Sequence, residues 1–473
     1  MDRSRRARRS ITGSITGPIT GELAELVDRT PADRERLVDL LRAVAIVMVV
    51  VGHWLVIAVT EAGSGAGGEI DGVNALRELE WLHPFTWLFQ VMPVFFLVGG
   101  YVNAASWRSH RERGGDVTAW VVGRHERLVL PAAPLLGVLV LAVVLVGPLG
   151  VDHEIAATGA WLATVPLWFL LAYMAIVTVA PATVMLHDRV GLWAPIVLAL
   201  VAAGVDVLRF GADLAVVGDV NYVVVWLCIH QLGYAWGDGR LGDRSRTGRV
   251  LFVGGLAALV ALTRWGPYPV SMVTAPGQEE QNTEPPTIAI LALAVAQLGL
   301  ALALRCRLRS WLQRRRPWTV VVAANTVVLT VFLWHMAVAI PAALLLHGTG
   351  LVPTPEIGSS AWYLLRLPWL LTCALLLAVV VLVASPVERW AAKRSGSGGT
   401  SAGVVAGGLA WVAVVAVLAG LLGIALAGPG AHGPLGLPTA AVVAFAVGVA
   451  LLGVVGRIRS SGQRASQAGR RRS

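Results

Sequence analysis

The amino-acid sequence predicts an all-α polytopic membrane protein with about twelve transmembrane helices. Of the 473 residues, 56% are hydrophobic and only 14% are charged, and the mean hydropathy is +0.70. A soluble globular chain is less apolar and more highly charged than this. The apolar residues are also gathered into segments of roughly 20 residues, which is the length that an α-helix needs to cross a bilayer.

The predicted spans follow one another along most of the chain. They lie near residues 38–59, 84–106, 127–147, 161–185, 191–208, 220–236, 249–265, 287–304, 319–346, 362–384, 403–427 and 438–456. The first ten form one continuous membrane body. The last two are a separate helix pair that follows a Gly/Ser-rich stretch, "KRSGSGGTSAG".

Arginine is concentrated in alternate connections between the spans, and this distribution predicts the orientation. The N-terminal tail and the connections after the second, sixth and eighth spans are rich in arginine, whereas 148–160, 266–286 and 428–437 contain no Lys or Arg. Positive residues in short loops are retained in the cytoplasm. The protein is therefore predicted to lie in the plasma membrane with both termini on the cytoplasmic side. The net charge of +10 then reflects topology and contact with anionic lipids rather than a nucleic-acid partner.

The predicted domain organisation has five parts. A basic disordered cytoplasmic tail covers residues 1–36, the ten-helix domain covers 37–394 and a flexible linker covers 395–402. The transmembrane helix pair covers 403–456, and a basic cytoplasmic tail covers 457–473. The N-terminal segment has no apolar core of the kind found in signal peptides, so no cleaved leader is expected.

The helix pair and the cysteines are assigned structural roles. Ala444 and Gly448 are small residues separated by one helical turn, which predicts close packing of the last two spans. Cys228, Cys306 and Cys373 have neither paired nor metal-type spacing, so no disulfide framework and no metal site are expected.

The chemically informative residues are the ionisable side chains inside the spans, because they are expensive to place in hydrocarbon. They are Arg42, His53, His230 and His335, with Asp39, Asp206 and Arg209 near span ends. No functional sequence motif is recognised around His230, so this residue is interpreted as a packing residue.

Arg42 and His53 share one face of the first span. Eleven residues of α-helix advance about 16 Å and turn about 1100°, or three turns plus roughly 20°. Asp39 lies three residues before Arg42 and can pair with it. The predicted topology puts Asp39 and Arg42 near the cytoplasmic boundary and His53 in the outer half of the bilayer. Taken singly, Arg42 could instead extend to the headgroups and His53 could be a packing residue.

The first span, "RLVDLLRAVAIVMVVVGHW" at 36–54, resembles the first helix of the membrane-bound acyltransferase-3 family. In that helix an Arg and a His separated by ten residues follow an Asp. Four further stretches resemble the family in the same order, namely "PVFFLVGGYVNAASW" at 93–107, "RHERLVLP" at 124–131, "NTVVLTVFLWHM" at 325–336 and "SPVERW" at 385–390. The resemblance covers about residues 36–392.

The chain departs from the family pattern in two places. The usual Ser-Gly after the aromatic pair is Gly99-Gly100 here, which removes a hydroxyl but preserves a close backbone approach. The C-terminal helix pair lies outside the common ten-helix body, and the resemblance implies nothing about it.

The resemblance implies an acyltransferase. The enzyme would move an acyl group, commonly acetyl, from a cytoplasmic coenzyme A thioester to a hydroxyl or amine of a carbohydrate, envelope or secondary-metabolite acceptor. Acyl-CoA would be a co-substrate, and no permanently bound cofactor is expected. The acceptor, the acyl chain length, the passage of the acyl group across the membrane and the oligomeric state stay open.

The resemblance also implies roles for the polar residues of the first span. His53 would act as a general base toward the acceptor or hold the acyl group transiently, since an imidazole titrates near neutrality. Arg42, Arg124 and Arg127 would bind the coenzyme A phosphates, because arginine binds phosphate through paired hydrogen bonds. Asp39 would orient Arg42. The alternative for Arg124 and Arg127 is an ordinary positively charged cytoplasmic loop.

The late histidine is the second candidate catalytic residue. The predicted topology puts His335 at a depth similar to that of His53, so it could line the same cavity or make a packing contact. Glu388 is expected to pair with Arg389 or Arg394 at a cytoplasmic helix end.

Two other functional classes compete with the acyltransferase. A twelve-span secondary transporter of a polar solute would also explain the span count, and broken helices at corresponding positions of two halves would favour it. The sequence does not show such a pair. The glycine-rich "GSGAGG" at 63–68 matches a dinucleotide fingerprint literally, but no βαβ unit surrounds it.

Overall fold

The computed structural model describes residues 17–31, 33–62, 69–212, 214–242, 245–395, 404–428 and 433–470. Within these ranges the chain forms seventeen α-helices and one two-stranded hairpin. The helices are α1 (Gly17–Asp28), α2 (Arg36–Val56), α3 (Thr86–Phe89), α4 (Met92–Glu112), α5 (Val117–Val146), α6 (His153–Thr164), α7 (Leu167–Val190), α8 (Trp193–Gly211), α9 (Asn221–Gly237), α10 (Ser245–Trp265), α11 (Ile288–Leu312), α12 (Arg315–Asn325), α13 (Val328–Trp334), α14 (Ala339–Ala343), α15 (Ser360–Ser395), α16 (Val404–Ala425) and α17 (Thr439–Arg470). The strands are β1 (Ile57–Ala62) and β2 (Glu69–Asn74).

The prediction of an all-α polytopic membrane protein with about twelve spans is confirmed. In the described part of the chain, eleven helices are long and apolar enough to cross a membrane, or up to twelve if the bent pair α12–α13 counts as one span. Helices in lipid satisfy their own backbone hydrogen bonds, which explains why the apolar segments adopt this form. The cytoplasmic location of the termini stays a prediction.

The two ends of the helical bundle carry different structures. At one end, here called the hairpin end, β1 pairs antiparallel with β2 from Ile57 opposite Asn74 to Ala62 opposite Glu69. The connection 266–287 lies at the same end, where Trp87 donates to the carbonyl of Val270 at 2.7 Å. The opposite end, here called the arginine end, contains the first turns of α2 and α5 and the last turn of α4. The hairpin was not predicted from the sequence.

Two predicted tails contain helices. Within the segment predicted to be a disordered N-terminal tail, α1 packs Val27 in a cluster with Leu312 and Trp318. The indole of Trp318 also donates to Thr30 at 3.0 Å, and these contacts account for the order of α1. Helix α17 continues to Arg470, through most of the predicted C-terminal tail. The predicted linker, apart from Ser395, and residues 1–16 lie outside the described residues.

Glycines allow the closest helix contacts in the membrane body. A Cβ on Gly100 of α4 would overlap the backbone carbonyl of His230 in α9, and one on Gly233 of α9 would overlap the carbonyl of Leu97. A Cβ on Gly99 would overlap the ring of Tyr173. The Gly-Gly pair therefore brings α4 against both α7 and α9, as expected for small residues at helix interfaces in lipid.

The C-terminal pair uses the same kind of contact. A Cβ on Gly448 of α17 would overlap Val417 of α16, so the predicted close packing at this residue is confirmed. The pair also packs against the body, because Ala410 and Ala413 of α16 belong to the same buried cluster as residues of α5 and α7. The carbonyl of Ala427 accepts from the indole of Trp161 at 2.6 Å.

We expect Gly100→Ala to destabilise the protein by about 1–3 kcal/mol or to prevent folding, because backbone atoms of α9 would have to move. Gly137→Ala in α5 is the matched control, since nothing lies within 4 Å of the added methyl group. Thermal unfolding of the purified proteins in detergent measures both. Equal unfolding temperatures for the two variants would contradict the close contact.

Candidate active site

His53 and His335 form a hydrogen-bonded pair inside the bundle. His53 lies in the last turn of α2, and His335 follows directly after α13. Nδ1 of His53 lies 2.9 Å from Nε2 of His335, and the two rings are stacked with centroids 5.0 Å apart. His335 is fully buried, whereas His53 is half-buried. The two histidines that the sequence put at similar depth therefore meet directly.

The hydrogen bonds define the tautomers of the neutral pair. Nδ1 of His335 lies 2.6 Å from the carbonyl of Phe332, and a carbonyl can only accept, so this nitrogen carries the proton. Nε2 of His335 then accepts from Nδ1 of His53. Nε2 of His53 is left with a free lone pair, which is the arrangement that a general base requires.

Two tryptophans hold the backbone around the pair. The indole of Trp54 donates to the carbonyl of His335 at 2.8 Å, which ties α2 to the chain after α13. The indole of Trp369 in α15 donates to the carbonyl of Trp54, also at 2.8 Å. Both tryptophans are buried. The relative position of the two imidazoles is therefore fixed by three helices.

The helical segment that leads to His335 is broken between Asn325, the last residue of α12, and Val328, the first residue of α13. Helices α12 and α13 meet at an angle of 50°. At the break, Thr326 donates from its hydroxyl to the carbonyl of Ala323 at 2.7 Å, and Asn325 donates to the carbonyl of Val321 at 2.8 Å. These side-chain hydrogen bonds add to the backbone hydrogen bonds that Thr326 and Val327 make at the end of α12.

Glu388 accepts the free N–H groups at the start of α13. Its carboxylate accepts from the backbone of Leu329 at 3.2 Å and from the backbone and hydroxyl of Thr330 at 2.9 and 2.6 Å. A carboxylate is favourable at a helix N-terminus because of the helix dipole. Arg127 interacts electrostatically with the same carboxylate. Within the described part of the chain, Glu388 makes this longer-range contact rather than the expected pairing with Arg389. The side chain of Arg394, the other expected partner, lies outside the described residues.

Asp39 organises the polar groups at the start of α2. Its carboxylate accepts from Arg42 at 2.8 Å, as predicted, and also from two nitrogens of Arg34 at 2.7 and 2.9 Å. Arg34 precedes α2, and its hydrogen bond to Asp39 raises the pKa of its guanidinium. Nε of Arg42 donates to the amide oxygen of Asn325 at 2.5 Å. Asn325 in turn donates to the backbone carbonyl of Asp39 at 2.9 Å.

The three arginines predicted to bind phosphate come together at the arginine end. Arg42 and Arg124 each interact electrostatically with Arg127 and with Tyr173. Arg124 is half-buried over the ring of Trp120, with its Cζ 5.3 Å from the ring centroid. The R-x-x-R segment is part of α5 rather than a loop, and helical geometry puts its two arginines one turn apart.

A continuous set of aromatic rings lies between the arginines and the histidine pair. Tyr173 stacks on Phe169 with centroids 5.8 Å apart, and Phe169 contacts Phe332 at 5.3 Å. Phe332 contacts His335 at 5.9 Å. Helical rise over the eleven residues from Arg42 to His53 separates the two polar groups by about 16 Å along α2.

His230 belongs to a third buried group near Tyr173. The amide of Asn103 lies 3.2 Å from both Nε2 of His230 and the hydroxyl of Tyr173. Nδ1 of His230 is buried without a hydrogen-bond partner. His230 also forms part of the α4–α9 contact through its carbonyl, which agrees with its interpretation as a packing residue.

Sequence reasoning missed Asn325, Tyr173 and the role of Glu388. Asn325 and Tyr173 are uncharged, so a search for ionisable residues inside spans does not select them. A second signal existed for Asn325, because it begins the stretch that resembles the late family helix. Among the described residues, no group of three or more His, Cys, Asp or Glu side chains could hold a metal ion.

Comparison with known protein families identifies a domain in this chain. The family model described as an acyltransferase domain matches residues 36–386, which is about three quarters of the chain. No curated protein matches the chain. No solved structure matches it either.

We expect Glu388→Gln to destabilise the protein by about 1.5–3 kcal/mol, because the amide replaces a charged acceptor at the start of α13. Glu356→Gln is the matched control, since Glu356 is exposed in the connection before α15. Thermal unfolding in detergent compares the variants with the wild type. An unchanged unfolding temperature for Glu388→Gln would show that the carboxylate does not stabilise the break.

Proposed function

This chain belongs to the acyltransferase-3 domain family, and we propose that it moves an acyl group, commonly acetyl, from cytoplasmic acyl-CoA to a hydroxyl or amine of a carbohydrate, envelope or secondary-metabolite acceptor. That the protein is a membrane acyltransferase follows from the family. The donor, the acetyl group and the acceptor class are the proposal. The hydrogen bond between His53 and His335 is the observation that carries it.

His53 would act as the general base. Its free Nε2 would take the proton of the acceptor hydroxyl or amine while the oxygen or nitrogen attacks the thioester carbonyl. The tetrahedral intermediate would collapse by breaking the carbon–sulfur bond. The departing thiolate would take the proton from His53 and leave as the coenzyme A thiol, which restores the neutral base. His335 would accept from Nδ1 of His53 and stabilise the imidazolium that forms. The same lone pair could instead attack the thioester, and a trapped acyl-His53 adduct would distinguish this route.

The arginine end would bind the phosphates of the donor. Arg42 and Arg124 interact electrostatically with Tyr173 and with Arg127, so three positive charges are gathered here. Asp39 and Asn325 hold two sides of the Arg42 guanidinium, so this fork is oriented before a ligand arrives. The pantetheine arm of coenzyme A separates its phosphates from its thioester, which suits cations at one end of α2 and a histidine at the other.

The transporter alternative has less support. It requires broken helices in corresponding positions of two halves. The described residues contain one bent span, α12–α13, without a counterpart of this kind.

We expect His53→Ala to lower acyl transfer by about 10²–10⁴-fold without loss of membrane insertion, because the general base is removed. His335→Ala is expected to lower the rate as well, since Nδ1 of His53 loses its acceptor. The control is His153→Ala, which alters an exposed histidine at the hairpin end. The measurement is transfer of labelled acetyl from acetyl-CoA by membranes, together with mass spectrometry of envelope glycans. Acylation that is the same with the wild type, with His53→Ala and without the gene would remove the proposed function.

We expect Arg124→Ala and Arg127→Ala each to raise the KM for acetyl-CoA by about 10- to 100-fold, because a charged hydrogen bond to phosphate is lost. Arg111→Ala is the matched control, since Arg111 is an exposed arginine in the last turn of α4. Binding of acetyl-CoA to the purified variants provides the second readout. Equal affinities for the wild type and both variants would refute the donor site.

A further inference from the structure

A second cationic cluster lies at the hairpin end, outside the machinery proposed above. Arg366, near the start of α15, stacks on Trp362 with its Cζ 4.3 Å from the ring centroid. It also lies 5.8 Å from the ring of Trp369. His347 contacts the same Trp369 ring at a centroid distance of 6.4 Å and interacts electrostatically with Arg366. We call these residues the Arg366 cluster.

Within the part of the chain that the structure describes, the Arg366 cluster contains three buried polar atoms without a hydrogen-bond partner. They are Nε of Arg366, Nε1 of Trp362 and Nδ1 of His347. The first two are N–H donors, whereas the ring of His347 already hydrogen-bonds the backbone at Val352 and Pro353. Buried donors are nearly always hydrogen-bonded in folded proteins, and an unpaired donor is more costly on a charged group than on a neutral one. Arg366 is half-buried, but its Nε is shielded from solvent. The N–H donors of Arg366 and Trp362 lack acceptors, and this predicts a bound group that supplies them.

Anchoring of the backbone does not account for this arrangement. Among the described residues, Arg366 makes one hydrogen bond, from Nη1 to the carbonyl of Ile57 at 2.6 Å, which uses one donor of a side chain that has several. Extension to the lipid headgroups would leave Nε in water. It is instead shielded, and the guanidinium is held flat against an indole ring, where its donors are oriented in advance.

The Arg366 cluster is connected to the histidine pair through two indole rings. Trp369 contacts Arg366 and donates to the carbonyl of Trp54. Trp54 follows His53 in α2 and donates to the carbonyl of His335. The cluster therefore lies next to the pair on the side opposite Arg42, Arg124 and Arg127. A molecule that approached the pair from the hairpin end would meet Arg366.

We propose that the Arg366 cluster binds an anionic oxygen group, a carboxylate or a phosphate, carried by the acyl acceptor. This inference rests on the proposed function, since it takes the hairpin end as the side from which the acceptor arrives. Carboxylate and phosphate oxygens are pure acceptors with the geometry of a guanidinium fork. The indole N–H of Trp362 would supply a further donor. The acceptor is accordingly an acidic carbohydrate or a phosphate-bearing molecule rather than a neutral sugar.

Binding of matched sugars tests the cluster directly. The full-length protein is placed in phosphatidylcholine nanodiscs, and the affinities for glucuronate, glucose 6-phosphate and glucose are measured by calorimetry. We expect the wild type to bind at least one anionic sugar about 10- to 100-fold more tightly than glucose, the range for a charged hydrogen bond. Arg366→Gln should abolish that preference, while its amide can still donate to Ile57. Arg366→Lys should restore part of it, because the charge remains.

The matched control is Arg264→Gln, which removes an exposed arginine in the last turn of α10 and should keep the preference. Equal binding of charged and neutral sugars by the wild type, or an unchanged preference in Arg366→Gln, overturns the proposal. Repetition in nanodiscs that contain phosphatidylglycerol separates the sources. A preference that persists there supports the acceptor as the source, whereas its loss overturns that assignment in favour of lipid phosphate.

The binding readout separates this inference from the proposed function. His53→Ala should lose transfer but keep the preference for anionic sugars. Transfer that survives in His53→Ala would refute the general base alone. An anion preference that survives in Arg366→Gln would refute the Arg366 cluster alone.

Discussion

Two polar contacts between α2 and the broken helix α12–α13 organise this protein. At the arginine end, Arg42 donates to Asn325, and eleven residues later His53 meets His335. In hydrocarbon a polar side chain has no water to satisfy it, so each member of these pairs needs the other. The contacts fix both the rotation of α2 and the position of the break. Glu388 then joins α15 to the same break by accepting the N–H groups of α13.

The features that depend on local pattern could be predicted from the sequence. The spans follow from the length and hydropathy of single segments, and the shared face of Arg42 and His53 follows from helical phase. The pairing of Asp39 with Arg42 follows from a three-residue separation. Each of these requires only one helix. The similar depth of His53 and His335 needed only the direction and length of two spans.

The remaining features depend on contacts between distant parts of the chain. Asn325 is an uncharged residue whose importance appears only when α12 lies beside α2. Glu388 is adjacent to Arg389, and a local interpretation pairs the two, whereas the free N–H groups that it accepts belong to a helix that begins 60 residues earlier at Val328. No proline lies at the break that exposes those groups, so the sequence gives no local signal for it. One sequence carries no information on such pairings, which arise from packing.

The aromatic rings between Tyr173 and His335 bear on proton movement across the membrane. A polar stripe that crossed the whole bilayer would conduct protons along its hydrogen bonds and dissipate the gradient that drives other membrane proteins. Here buried Ile46 and Val49 of α2, together with Phe169 and Phe332, separate the arginines from the imidazoles. The titratable pair can thus lie inside the bundle while apolar and aromatic side chains stand between it and the arginines.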